Sequence, residues 1–96
     1  MAVGDVVTNI TSLANNAYLT YQPAAGVETM VINTYGEGAF ETYVYNGTTR
    51  ILIDKSTSTP YATTLQKILV NNTIYMQIKN VSGSTLNFGY SGIQIK

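Results

Sequence analysis

The stretch Thr73-Ile-Tyr-Met-Gln-Ile-Lys-Asn-Val-Ser-Gly-Ser-Thr-Leu-Asn-Phe-Gly-Tyr-Ser-Gly-Ile-Gln-Ile-Lys96 alternates with a period of two. Ile74, Met76 and Ile78 fall on one side, Tyr75, Gln77 and Lys79 on the other, and Leu86, Phe88 and Tyr90 repeat the alternation further on. Such a pattern marks a strand with one face turned to a core and the other to water. Asn80-Val-Ser-Gly-Ser84 separates the two runs with small residues and residues tolerant of left-handed backbone. The stretch therefore reads as two strands closed into a hairpin.

Working outward, the same signals recur along the chain. Asn46-Gly47 is a strong hairpin signal, set between Phe40–Tyr45 and a returning strand Thr48–Ile53. Val27–Tyr35 is rich in β-branched residues and ends at Gly36-Glu-Gly38, while Ala17–Tyr21 is a short strand broken by Pro23-Ala-Ala-Gly26. Asp54–Pro60 reads as the longest polar loop. Tyr61–Val70 is ambiguous, because Leu65, Ile68 and Leu69 sit at helical spacing whereas Thr63, Thr64 and Val70 oppose a helix. We read it as strand, with one helical turn as the variant. Val3–Leu13 is an N-terminal strand, or an arm that pairs with a neighbour. About eight short strands at spacings of roughly 8–12 residues predict an all-β fold, an antiparallel β-sandwich or jelly-roll-like barrel. Residues 1–16 form the strand or arm, and 17–96 form a single β-sandwich domain.

The 96-residue chain has room for one domain. It has no cysteine, histidine or tryptophan. That removes disulfides, thiolate metal sites and the usual general base near neutral pH. Only 10% of residues are charged and the net charge is zero, against about 25% charged in an average domain. Such a composition suits a surface covered by other protein. The acids Asp5, Glu28, Glu37 and Glu41 all precede Arg50, whereas Arg50, Lys55, Lys67, Lys79 and Lys96 follow with Asp54 as the lone acid. That asymmetry would let an acidic edge meet a neighbour's basic edge. Five dispersed cations make no phosphate-tracking patch, so nucleic acid is not an expected partner. The opening residues carry no signal-peptide pattern and no apolar run reaches membrane-spanning length, so no membrane partner is expected either.

Chemistry is hard to place on this chain. Glu37 and Glu41 flank one turn but form no recognisable acid/base pair, and the serines lack a histidine partner. No D-x-D-x-D-G loop offers a calcium site. The expectation is no enzyme, no cofactor and no metal. The four Asn-x-Ser/Thr triplets, at Asn9, Asn46, Asn71 and Asn80, are no more than a chain rich in Asn and Thr produces by chance. Eight tyrosines remain. Tyr43 and Tyr45 share one strand face, opposite Thr42 and Val44. Exposed tyrosine serves protein interfaces and carbohydrate stacking alike, because its ring is apolar and its hydroxyl stays wet; buried tyrosine pairs across strands. The candidate interface residues are Tyr18, Tyr21, Tyr35, Tyr43, Tyr45, Tyr61, Arg50 and Glu41.

The strand Asn71–Asn80, the turn Val81-Ser-Gly-Ser-Thr85 and the ending Gly89-Tyr-Ser-Gly-Ile-Gln-Ile-Lys96 resemble small all-β virion proteins of tailed bacteriophages, over residues 17–96. The resemblance implies a capsid decoration (cement) protein on the outer surface of the head, made in the host cytoplasm. Its partners would be the major capsid protein and copies of itself, as a homotrimer. The alternative it implies is a fibre, tail or host-recognition module meeting surface glycan or protein. The tyrosines leave a free-standing carbohydrate-binding module open as well.

Overall fold

The computed structural model describes residues 2–57 and 62–96, with 62–66 described by backbone alone. Among these residues the chain forms eight strands and no helix: β1 (Val6–Leu13), β2 (Tyr18–Tyr21), β3 (Thr29–Gly36), β4 (Phe40–Tyr45), β5 (Arg50–Ser56), β6 (Ala62–Val70), β7 (Tyr75–Asn80) and β8 (Leu86–Gln94). Two four-stranded antiparallel sheets result, ordered β1-β8-β3-β6 and β2-β7-β4-β5. The first strand thus pairs with the last, the second with the seventh, the third with the sixth and the fourth with the fifth. This is one long antiparallel hairpin rolled up so that its arms alternate between two layers, the jelly-roll arrangement.

The expected hairpin over 73–96 does not form. β7 pairs with β2 and β4, whereas β8 pairs with β1 and β3 in the other sheet. Alternation had given each strand's inward face correctly: Met76, Ile78, Phe88 and Tyr90 are all buried. In the fold those residues meet across the core instead of lining one sheet. Ile74 lies ahead of the strand and is exposed.

Asn80 redirects the chain. Its side chain is fully buried, and its Nδ2 donates to the Leu13 carbonyl at 2.9 Å and the Ser84 carbonyl at 2.7 Å. Oδ1 accepts from the Ser82 amide at 2.9 Å and the Ser82 hydroxyl at 2.7 Å. Backbone bonds join its carbonyl to Asn16 N and its amide to the Ala17 carbonyl. One residue therefore ties the β7–β8 corner to the β1–β2 corner.

Elsewhere, boundaries moved for local reasons. Asn46–Gly47 does close the β4–β5 hairpin, with Asn46 Oδ1 capping the amides of Thr48 and Thr49. Those two threonines are thereby held in the turn, and β5 begins at Arg50. It continues through Asp54 to Ser56, over residues expected in the polar loop, and residues 58–60 of that expected loop lie outside the described residues. A bulge at Ile53 shifts the register from Tyr43↔Leu52 to Thr42↔Asp54. The ambiguous 61–70 segment is strand from Ala62 onward, paired with β3. Val6–Leu13 pairs along its whole length with β8 of the same chain.

Between the layers lie Val7, Leu13, Leu19, Val31, Phe40, Ile68, Val70, Met76, Ile78, Phe88 and Tyr90. Phe40 and Phe88 come from opposite sheets and meet edge-on at 6.0 Å and 71°. That geometry adds about 1 kcal/mol to what burial of the rings supplies. At Gly92, a Cβ would stand 2.3 Å from the Met30 carbonyl oxygen, so β8 lies this close to β3 only because the residue has no side chain.

Replacing Asn80 by Ala would strip four side-chain hydrogen bonds and take from the buried Leu13 carbonyl its side-chain donor. At ~1 kcal/mol per bond, Asn80→Ala is expected to cost about 4 kcal/mol. For a domain of this size that lowers Tm by more than about 10 °C, measurable by calorimetry.

Candidate functional site

The register of the second sheet decides which tyrosines meet. On its outer face Tyr75 lies opposite Tyr45, which lies opposite Arg50; Thr20 lies opposite Gln77, Gln77 opposite Tyr43, and Tyr43 opposite Leu52. A third rank runs Tyr18, Lys79, Glu41, Lys55. Five of the candidates named from sequence therefore share this face: Tyr18, Tyr43, Tyr45, Arg50 and Glu41.

Arg50 binds the face together. Its side chain leaves the edge strand β5 and crosses the sheet, where its guanidinium carbon stands 4.4 Å from the Tyr45 ring centroid and 4.5 Å from that of Tyr18. Nε donates to Gln77 Oε1 at 2.6 Å, and Gln77 Nε2 in turn donates to Thr20 Oγ1 at 2.9 Å. Gln77 is itself buried, so the acceptor that orients Arg50 is fixed. Lys79 Nζ lies 5.7 Å from the Tyr18 centroid. Two ring pairs frame the cation, Tyr45–Tyr75 at 5.7 Å and Tyr18–Tyr43 at 6.2 Å. Cation–π contacts of this kind contribute about 0.5–1 kcal/mol each at exposed sites.

Tyr43 donates its hydroxyl proton to Glu41. That hydrogen bond, then burial and the carboxylate's charge, push the Tyr43 pKa up to about 12. Glu41 also lies directly across from Lys79 and Lys55. On this face the acids and bases that are separate in the sequence are interleaved, because the rolled hairpin sets early strands beside late ones.

The other sequence candidates lie elsewhere. Tyr21 turns inward, its ring 5.0 Å from that of Tyr90 and its hydroxyl 2.7 Å from Thr29 Oγ1. Tyr35 lies on the outer face of the first sheet and donates to the Tyr90 carbonyl at 3.0 Å. Its ring covers Gly89, where a Cβ would meet it at 2.6 Å. Tyr61 lies outside the described residues. Tyr75, Gln77 and Lys79 were readable from sequence as one outward side, but only the ladder register sets them against Tyr45, Tyr43 and Glu41.

A second surface was missed entirely. On the outer face of the first sheet, Val6 lies opposite Ile93, Ile93 opposite Met30, and Met30 opposite Leu69. This apolar row crosses all four strands, roughly 14 Å at about 4.8 Å per strand. Val6 is 69% exposed, Leu69 66% and Ile93 36%. One rank beyond Thr8, Ser91 and Asn33, Ile10 is 67% exposed beside Gly89. Among the described side chains of this face, Lys67 is the charged one.

Burial, followed by the neighbouring Tyr21 and Tyr35, also pushes Tyr90 up to about 12. A tyrosine held above its ordinary value near 10 stabilises the fold fully below pH 10 and loses that contribution as pH rises toward 12. Ultraviolet titration is therefore expected to show a late ionisation step near pH 12, coincident with alkaline loss of structure. Tyr43→Phe should shrink that step; an unchanged late step would discount the Glu41 contact.

Compared with protein-family models the chain matches none, and a comparison with curated proteins likewise gives no match.

Proposed function

We propose that this chain is a decoration subunit of a phage head, held on the outer surface of the assembled shell by the outer face of the β1-β8-β3-β6 sheet. The observation that carries the reading is the in-register row Val6–Ile93–Met30–Leu69. Interface centres are depleted of charge and enriched in apolar area. A row of this kind, on a face with so little charge, has low desolvation cost when covered by protein. Analogy of fold agrees, since double-sheet jelly rolls recur in viral capsid and lectin domains.

The mechanism is physical. A subunit that binds neighbouring capsid proteins only when they are assembled stabilises the assembly by mass action. The Tyr18–Arg50–Tyr45 face lies on the opposite side of the sandwich and stays open to solvent in this arrangement. That exposed face is what favours a second reading, a fibre or host-recognition module that meets surface glycan, with a free-standing carbohydrate-binding module as its simplest form.

Co-sedimentation with undecorated heads tests the first reading. Wild-type protein is expected to pellet saturably at an integer number of copies per capsid subunit. Leu69→Asp places a charge in the row at an exposed site and should weaken binding at least about tenfold, or 1.4 kcal/mol, with Tm unchanged. Absence of wild-type protein from the pellet would overturn the proposal, and retention on intact cells would then favour the second reading.

A further inference from the structure

We infer that the Tyr18–Arg50–Tyr45 clamp is a receptor for a carboxylate, and that its ligand is an acidic sugar such as a uronic or sialic acid residue. This site is separate from the docking face and goes beyond the decoration role.

The guanidinium is fixed before any ligand arrives. Tyr18 and Tyr45 hold its plane at 4.5 and 4.4 Å, and Gln77 takes Nε–H at 2.6 Å. Gln77 is buried and braced by Thr20. Among the described residues the two terminal nitrogens of Arg50 have no hydrogen-bond or ion-pair partner, although Arg50 is exposed. An oriented guanidinium with its terminal fork open matches a carboxylate, which it binds through two parallel N–H···O bonds. Immobilisation beforehand removes much of the ordering cost that an exposed arginine otherwise incurs on binding. Lys79 and Lys55 add positive charge to the same face, and Glu41, set between them, already accepts the Tyr43 hydroxyl.

The surroundings select a sugar over an acidic peptide. Peptides dock by adding a strand to an open edge or by filling side-chain pockets. Here the clamp lies over β7 and β4, the two central strands, whose backbone groups are already used on both sides. Around the fork, the half-buried rings of Tyr43 and Tyr75, tilted at 56° and 78° to Tyr18 and Tyr45, offer instead the apolar surface and hydroxyl groups that suit a pyranose.

Titration of the 15N-labelled protein with glucuronate, following the Arg50 Nε–Hε resonance, tests this. A saturable shift in the millimolar range is expected, with glucose giving none and acetate binding at least about tenfold more weakly than glucuronate, a difference of 1.4 kcal/mol. Arg50→Lys keeps the charge but loses the fork and should weaken glucuronate at least tenfold, whereas Leu69→Asp should leave it unchanged. No shift with either glucuronate or N-acetylneuraminate, equal binding of glucose or acetate, or an Arg50→Lys variant that binds like wild type would each overturn the inference. N-acetylneuraminate in place of glucuronate separates sialic from uronic acids; saturation by either supports the site.

Discussion

One buried amide organises the fold. Asn80 closes both corners at one end of the sandwich, because β1–β8 and β2–β7 are ladder pairs and their connections cross between the layers side by side. Its four side-chain hydrogen bonds reach Leu13 on one corner and Ser82 and Ser84 on the other. A buried polar group is tolerable only when satisfied, and satisfying this one requires both corners to be in place at once. An aspartate would lack the two donors, and an apolar residue would lose all four bonds. Asn80 thus braces the β7–β8 crossover against the β1–β2 corner.

Once the crossovers are set, the rest of the surface follows. The rolled hairpin places β2 and β5 at opposite edges of one sheet, with β7 and β4 between them. Only a long side chain can connect those edges, and Arg50 does so by lying over Gln77 to reach Tyr18. The same topology interleaves Glu41 with Lys79 and Lys55, so a chain with an acidic first half folds into a face of mixed charge. Exposed Ile51, Leu52 and Ile53 on the free edge β5 would invite pairing with another strand. The bulge at Ile53 interrupts that edge by breaking the regular alternation of its backbone groups.

Much of this was legible in the sequence, and the limit has a physical cause. Alternation separates the two sides of a strand, so Met76 and Ile78 fall on one side and Tyr75, Gln77 and Lys79 on the other before any partner is known, and Phe88 shares a side with Tyr90. Turn chemistry reports where strands stop, as Asn46–Gly47 did. Neither reports which strand lies alongside. Tyr43 and Tyr45 were recognisable as one face because they share a strand, whereas Tyr18 and Arg50 come together through a register that no local pattern encodes. Tyr21 and Tyr35 show the converse: a tyrosine's identity does not say whether its ring fills the core against Tyr90 or roofs a glycine at position 89. The apolar row was the least visible feature of all. Val6, Met30, Leu69 and Ile93 stand far apart in sequence, and each passes for an ordinary surface residue.

The scarcity of charge takes on a specific meaning in this setting. The shortest dimension of the molecule is 19 Å, so the two outer sheet faces make up much of its surface. A face that is to be covered by protein cannot carry many charges without a desolvation cost, and on the first sheet Lys67 stands beside uncharged threonine, serine and asparagine. On the second sheet Arg50 lies over two rings and Glu41 accepts a hydrogen bond from the Tyr43 hydroxyl. Charge on that face is thereby held in fixed positions by the residues around it. With one face nearly uncharged and apolar and the other carrying its few charges within a tyrosine framework, the chain folds with only 10% charged residues.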